Sequence, residues 1–549
     1  MSRIFPEHEG KTKGGDGMAE TVTVRQATMA LLRDCGMTTV FGNPGSTELG
    51  FLDRWPNDFR YVLGLQEASV VAMADGYARA SGRAAFCNLH SAAGLGHALG
   101  NVFTAHRNQA PLVITAGQQA RSLLPHNPFL GATDAASFPK PYVKWSCEPA
   151  RAADVPAAIA HAFHVAMQRP CGPTFVSIPS DDWAAPTRLP SPRRTSQDMA
   201  PDPALLADCT AALAAARSPV LVIGPEVDAE AAGPAAVALA ERLRAPVWAS
   251  PFCSRIAFPE DHPLFAGFLA AAPPAIAAAL APHDLVLVLG APVFTFHVAG
   301  DCALFTAGTP LFQLSTDGEA IAAAGTGTGI QGSLRLGLPA LAALVPQSDR
   351  TPPPPRPRPA PPTASRPIGA EYLFHTLSRL LPRDAVVVEE VPSHRPALQA
   401  HLPIRDWGGF YTMASGGLGY SLPAAVGIAL AHPGRRIAAI IGDGSMMYSI
   451  QALWTAAQQA LPLAVIVVNN GGYGAMRSFS RVMGTEGVPG IDLPGLDFVA
   501  LAQGMGCPGL RVDDPALLAD ALAAALRHAG PMLVEVAVDA AIPTLYHKS

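Results

Sequence analysis

Short, unbroken apolar runs, each cut off by glycine, asparagine or histidine, recur along the chain. Residues 437–441 (Ile-Ala-Ala-Ile-Ile) lead into Gly442-Asp443-Gly444-Ser445, and residues 463–468 (Leu-Ala-Val-Ile-Val-Val) lead into Asn469-Asn470-Gly471-Gly472. Runs this short and without polar alternation predict strands buried on both faces, as in parallel sheets covered by helices. Residues 59–63, 84–89, 220–223 and 285–289 read the same way. The stretches between such runs are alanine-rich with helical spacing. They predict a helix over 68–80, begun by Glu67, and a crossover helix over 448–460. Strands alternating with helices throughout imply an α/β fold of three doubly wound domains with mainly parallel sheets.

The two glycine- and asparagine-bearing turns carry chemistry. A right-handed strand–helix–strand unit sets the carboxyl ends of its strands side by side, so Asp443 and Asn470 can reach one ion across 27 intervening steps of sequence. Both are hard oxygen donors suited to Mg²⁺ or Ca²⁺, and the Gly472 carbonyl would complete the protein's share beside phosphate oxygens. Gly444 and Gly471 let the backbone come close to those phosphates. Either turn alone reads as an ordinary loop after a strand; the pair in this order and spacing is specific.

Composition narrows the class. The 549 residues are 49% hydrophobic and 15% charged with a net charge of −5, enough chain for three cores and without the basic stripe that nucleic acid requires. The most apolar regions are interrupted by Pro273, Pro274, Pro282, His283 and Asp284, so no bilayer span is expected. Eight scattered cysteines without CxxC pairs disfavour a disulfide framework and a zinc site and suit a reducing cytoplasm. Residues 1–20 lack an apolar segment and read as a disordered extension, with Met18 a candidate start. Domains are expected at 21–187, 200–345 and 368–549, with a proline-rich tether over 346–367 that contains the polyproline tract 351–362. The middle domain looks Rossmann-like, yet neither of its clear strands is followed by GxGxxG, which argues against a dinucleotide there.

The metal motif resembles the thiamin diphosphate signature, in which GDG, about thirty residues and NN hold Mg²⁺ and the cofactor's diphosphate. The resemblance then narrows to the benzoylformate decarboxylases. It is carried by residues 41–49 (Phe-Gly-Asn-Pro-Gly-Ser-Thr-Glu-Leu), Leu65-Gln66-Glu67, residues 88–94, 114–119 and 143–146, and residues 290–294 with His297. Gly416-Gly417-Leu418-Gly419 and residues 452–457 complete it. It runs from about residue 20 to the end. It implies a pyrimidine-binding domain, a central domain and a diphosphate-binding domain. Asp443, Asn470 and Gly472 would be the metal ligands. Gly442, Gly444, Ser445, Tyr473, Gly416 and Leu418 would cradle thiamin diphosphate, Leu418 as the apolar wedge that holds it bent. Glu67 would hydrogen-bond the pyrimidine and allow the proton of the thiazolium carbon to leave; alone, it reads as an acid favoured at a helix start.

By the same resemblance Ser46, His90 and His297 form the catalytic trio. Ser46 would orient a substrate carboxylate, and the histidines would move protons near neutral pH, with either able to serve the later protonation. Without the resemblance Ser46 reads as a turn residue and both histidines as satisfied core residues. The substrate would be a 2-keto acid, and the assembly a homo-oligomer, a dimer of dimers (a homotetramer) with sites at subunit interfaces; the sequence alone also permits a monomeric cleft. Pro392 stands where the benzoylformate enzymes have a hydroxyl residue, Thr412-Met413 where they have an aromatic and a small residue, and Phe129-Leu130 where they have two leucines. Met476 and Phe479 keep an apolar lining for an aryl or large aliphatic group. The expected reaction is non-oxidative decarboxylation to an aldehyde. Carboligation to a second carbonyl compound is the alternative, and a non-catalytic cofactor-binding chain the weakest reading.

Overall fold

In the computed structural model, residues 21–191 and 193–545 are described. The expected 1–20 extension and Pro192 fall outside them. The chain forms two compact units, one up to residue 196 and one from residue 197 onward.

The first unit is built on six strands, in chain order Thr39–Gly42, Arg60–Leu63, Ala85–Leu89, Leu112–Gln118, Ser146–Cys147 and Thr174–Pro179. They lie in the order second, first, third, fourth, sixth, fifth, and every pairing is parallel. Val40, Phe86, Val113 and Val176 pack on one face against helices Val24–Asp34 and Val155–Met167. Helices Glu67–Ser81 and Ser91–Arg107 pack together and cover strands Ala85–Leu89 and Leu112–Gln118. Both faces are thus covered, which is why the strands read as unbroken apolar runs. The topological switch falls between Thr39–Gly42 and Ala85–Leu89, the place where such sheets open a crevice at their carboxyl ends.

The second unit carries two further six-stranded sheets, again parallel throughout. The first comprises Pro219–Ile223, Val247–Ala249, Phe265–Phe268, Leu285–Leu289, Leu311–Ser315 and Thr328–Gln331, ordered third, second, first, fourth, fifth, sixth. This is the strand order of dinucleotide-binding folds. At its switch point stands Glu226, buried, accepting from Ser315 Oγ at 2.7 Å and from Thr316 N and Oγ1 at 3.0 Å each. Burial pushes the Glu226 pKa up, with the Ser315 and Thr316 donors opposing.

The last sheet holds Val386–Glu390, Phe410–Tyr411, Ile437–Gly442, Leu463–Asn469, Gly509–Val512 and Met532–Ala537. Its order, second, first, third, fourth, sixth, fifth, repeats that of the first unit. The single crossover helix expected over 448–460 is instead two, Asp443–Ser449 and Ala452–Gln458. Ile450 and Gln451 keep helical angles, but their carbonyls accept from Leu453 N and Trp454 N three residues on, so the ladder tightens into a turn between them. The polyproline tract is irregular and mostly exposed, although Arg356 is partly buried over the rings of Phe265 and Phe268. No helix among the described residues is long and apolar enough to cross a membrane.

Candidate active site

The register of the last sheet builds the cation-type site. Gly442 pairs with Val468, so Asp443 and Asn470 leave neighbouring strands side by side. Asp443 starts helix Asp443–Ser449, with Gly442 as its cap and Gly444 and Ser445 buried in its first turn. The Asp443 carboxylate is buried and accepts from Gly444 N at 2.9 Å and from Gly472 N at 2.7 Å. Burial pushes its pKa up, with the backbone N–H groups opposing. Gly472 has φ 152°, and a Cβ there would lie 2.3 Å from the Ile491 carbonyl, so only glycine fits this turn.

The two asparagines of the motif do different things. Asn469 uses its Oδ1 to accept from Gly471 N at 3.0 Å and its Nδ2 to donate to Glu535 at 2.8 Å. Asn470 is buried, and its Oδ1 has no hydrogen-bond partner among the described residues. A buried carboxylate with a raised pKa beside an orphaned amide oxygen is a donor set that a hard cation would satisfy. The residues therefore fit a metal-held diphosphate.

In the first unit, Glu67 begins helix Glu67–Ser81 behind Gln66, whose side chain caps Ser69 N at 3.1 Å. Asn43 Nδ2 donates to Glu67 Oε1 at 3.3 Å, and His97 Nδ1 lies 3.1 Å from Oε2. His90 directly follows strand Ala85–Leu89 and caps helix Ser91–Arg107. Its Nδ1 lies 2.8 Å from the buried Glu48 carboxylate and 3.2 Å from Thr47 Oγ1; a carboxylate only accepts, so Nδ1 is the donor to Glu48. Glu48 also accepts from Gly45 N, Gly117 N and Thr47 Oγ1 at 3.0, 3.0 and 2.6 Å. The exposed Ser46 opens the turn Ser46–Glu48, and a Cβ on the preceding Gly45 would lie 2.1 Å from the His90 ring. Ser46 and His90 are thus brought to one end of the first sheet. Phe129, 85% exposed, and Leu130 lie in a loop of the same unit.

In the second unit His297 follows the end of strand Leu285–Leu289, held by its N–H to the Ala271 carbonyl at 2.8 Å. Its ring packs edge-on to Phe479 at 4.8 Å and to Phe252 at 5.7 Å. Phe479 and the half-exposed Met476 share helix Gly474–Met483 behind Tyr473. Burial lowers the His297 pKa below its ordinary value. Opening the site with Phe479→Ala is expected to return it upward, toward about 6.5. Histidine-selective NMR titration of the two proteins checks this; an unmoved or lower value would remove burial by Phe479 as the cause.

Other predicted pocket residues are spread along the second unit. Pro392 follows strand Val386–Glu390, partly exposed. Thr412 and Met413 are buried; the Thr412 hydroxyl accepts from Arg395 Nη2 at 2.8 Å and donates to the Met413 sulfur at 3.4 Å. Gly416 and Leu418 lie in a loop gripped by Glu390, whose carboxylate accepts from Gly419 N, Tyr420 N and Ser421 N at 2.6, 3.0 and 2.7 Å. Burial pushes Glu390 to about 7 against those three donors. Sequence reasoning assigned no role to Glu390, Glu48, Asn43 or His97. Asn43 and Glu48 both stand within the motif of residues 41–49, and two adjacent acids ending the apolar run 386–388 were a visible anomaly. The His97 contact had no local signal.

Residues 22–138 and 391–536 match the N-terminal and C-terminal TPP binding domains of the thiamine pyrophosphate enzymes, and residues 206–341 match their central domain. The chain is 46% identical to a benzoylformate decarboxylase of Pseudomonas aeruginosa, over 94% of this chain and 98% of that protein. Among solved structures it is similar to benzoylformate decarboxylase from Polynucleobacter necessarius, at 40% identity with a TM-score of 0.92, covering 95% of this chain and 99% of the other. It is equally similar in shape to the thiamine diphosphate-dependent 4-hydroxybenzoylformate decarboxylase of Rhodococcus jostii RHA1, at 42% identity and TM-score 0.92, covering 95% of this chain and 100% of the other.

Proposed function

The chain belongs to the thiamine pyrophosphate enzyme family, and on that premise we propose that it is a carboxy-lyase that removes carbon dioxide, without oxidation, from an aryl or similarly bulky 2-keto acid and releases the aldehyde. The observation that carries this reading is the 46% identity to a benzoylformate decarboxylase across nearly the whole of both chains. Thiamin diphosphate, when bound, supplies the sink for the electron pair of the bond that breaks.

The chain's own residues do the rest. Asp443, Asn470 and the Gly472 carbonyl would hold Mg²⁺ or Ca²⁺, and Gly442, Gly444, Ser445 and Tyr473 would line the diphosphate. Gly416 and Leu418 would support the cofactor's shape. Glu67, oriented by Asn43, would offer its carboxyl to the pyrimidine and hold or release a proton there. Ser46 orients the substrate carboxylate. His90, aligned by Glu48, supplies a proton to the keto oxygen, and His297 delivers the proton that takes the place of carbon dioxide. Phe479 and Met476 give that end an apolar wall suited to an aryl group. Pro392, Thr412, Met413 and Phe129, beside the retained Leu130, are the pocket positions whose residues depart from those of the benzoylformate enzymes, and substrate choice would be tuned there.

A homo-oligomer, a dimer of dimers with shared sites, completes the reading. It is supported by the exposed Leu49, Leu65 and Tyr448, which sit beside Glu48, Glu67 and the helix of Asp443. The eight cysteines form no disulfide among the described residues, which supports a reducing, cytoplasmic setting.

The test is carbon dioxide release from a panel of aryl and alkyl 2-keto acids, with products analysed with and without added aldehyde. Release from none of them sinks the reading, and hydroxyketone in place of aldehyde makes the enzyme a carboligase. His90→Ala and His297→Ala are each expected to leave folding and cofactor binding intact and to cut turnover on the order of 10²–10⁴-fold. His90→Ala should impair the steps up to carbon dioxide loss, and His297→Ala the later protonation, so that an added aldehyde diverts product to hydroxyketone. Near-normal turnover in both cofactor-loaded variants would show that other groups move these protons.

A further inference from the structure

Asn470 has one amide and two demands on it. Its Nδ2 lies 3.1 Å from His394 Nε2, and its Oδ1 is buried without a partner. An amide nitrogen only donates, so His394 Nε2 is the acceptor, and the bond fixes which end of the amide faces which way. Were the amide reversed, two N–H groups would point where the cation-type donor set needs an oxygen. His394 is well placed to enforce the choice. It is buried, its N–H is tied to the Val391 carbonyl at 2.9 Å, and its carbonyl accepts from Leu398 at 3.0 Å as the first bond of helix Arg395–His401. On the other side a Cβ at Gly474 would lie 2.8 Å from Asn470 Nδ2, so the backbone there leaves the amide little room to swing.

We propose that His394 is a positioning residue for the cation, accepting from the Asn470 amide so that Oδ1 is presented as a ligand. The inference rests on the assignment of Asp443, Asn470 and the Gly472 carbonyl to a divalent cation. A preset ligand costs no rotamer ordering when the ion arrives, and loss of such an outer partner typically weakens metal affinity about 10–100-fold.

The experiment uses full-length protein freed of metal and cofactor, titrated with Mg²⁺ at saturating thiamin diphosphate. Intrinsic fluorescence and bound magnesium per chain are read alongside circular dichroism. His394→Leu, which removes the acceptor, is expected to raise the half-saturating Mg²⁺ concentration by about 10–100-fold with an unchanged fold. His394→Gln restores an acceptor near the place of Nε2 and should stay within about threefold of the parent. A folded His394→Leu protein that binds Mg²⁺ like the parent overturns the proposal. So does a His394→Gln protein as weak as His394→Leu. Should His394→Leu not fold, the glutamine variant decides: parental affinity supports the role and a loss of about tenfold or more ends it. Parent protein that takes up thiamin diphosphate without any cation would instead sink the cation assignment itself, an outcome distinct from unchanged binding in the variants.

Discussion

Asp443→Ala protein is expected to emerge from purification without thiamin diphosphate or magnesium and without activity. The side chain is buried at the end of strand Ile437–Gly442, and it contributes the only carboxylate of the candidate cation set. Alanine removes that charge and leaves the divalent cation to be held by an amide oxygen and a carbonyl alone. A loss of affinity beyond about 100-fold is expected, since changes one shell further out already cost about 10–100-fold. The substitution also strips the acceptor from Gly444 N and Gly472 N, so a drop in stability of about 1–3 kcal/mol accompanies it. Cofactor content after gel filtration, with circular dichroism and thermal unfolding as controls, separates lost binding from lost fold. Full activity in chelator-treated Asp443→Ala protein would end the cofactor-site assignment.

Glu67→Gln is expected to keep most cofactor affinity and to lose catalysis at its first step. Glutamine preserves the shape and retains an oxygen for Asn43, so the start of helix Glu67–Ser81 should stand. An amide does not take up or release a proton at these pH values. Exchange of the thiazolium carbon's proton for deuterium in bound cofactor should therefore slow on the order of 10²–10⁴-fold, the usual worth of a positioned acid or base. Turnover should fall in parallel. Exchange at the parental rate would return Glu67 to the role of an acid at a helix start, stabilised by the peptide dipoles.

The placement of both residues was legible in the sequence, whereas the role of Glu67 came only with the family resemblance. Apolar runs without alternation betray strands covered on both faces, because burial on each side leaves no position for a polar residue. Gly442 to Ser445 and Asn469 to Gly472 follow two such runs, and one right-handed crossover suffices to bring their ends together, as the pairing of Gly442 with Val468 shows. Glu67 at a helix start and His90 just past a strand could be placed the same way. Each of these readings needs only local pattern and one handedness rule. The break at Ile450–Gln451 was not legible, since Ala, Leu, Gln and Trp around it favour a continuous helix.

The sequence by itself determined six of the strands, the α/β class with three domains, the GDG and NNG turns and the resemblance to a decarboxylase family. Only the tertiary structure decided which groups contact the candidate site's side chains: Glu48 and His90, Asn43 and His97 with Glu67, Glu390 and the loop of Leu418, His394 and Asn470. The physical reason is the difference between burial and direction. Hydrophobic burial is non-directional and is announced by composition over a few residues, whereas a hydrogen bond needs two atoms within about 3 Å. Those atoms come from strands and loops that are neighbours only through the order in which the sheets assemble, 42 positions apart for Glu48 and His90 and 76 for His394 and Asn470.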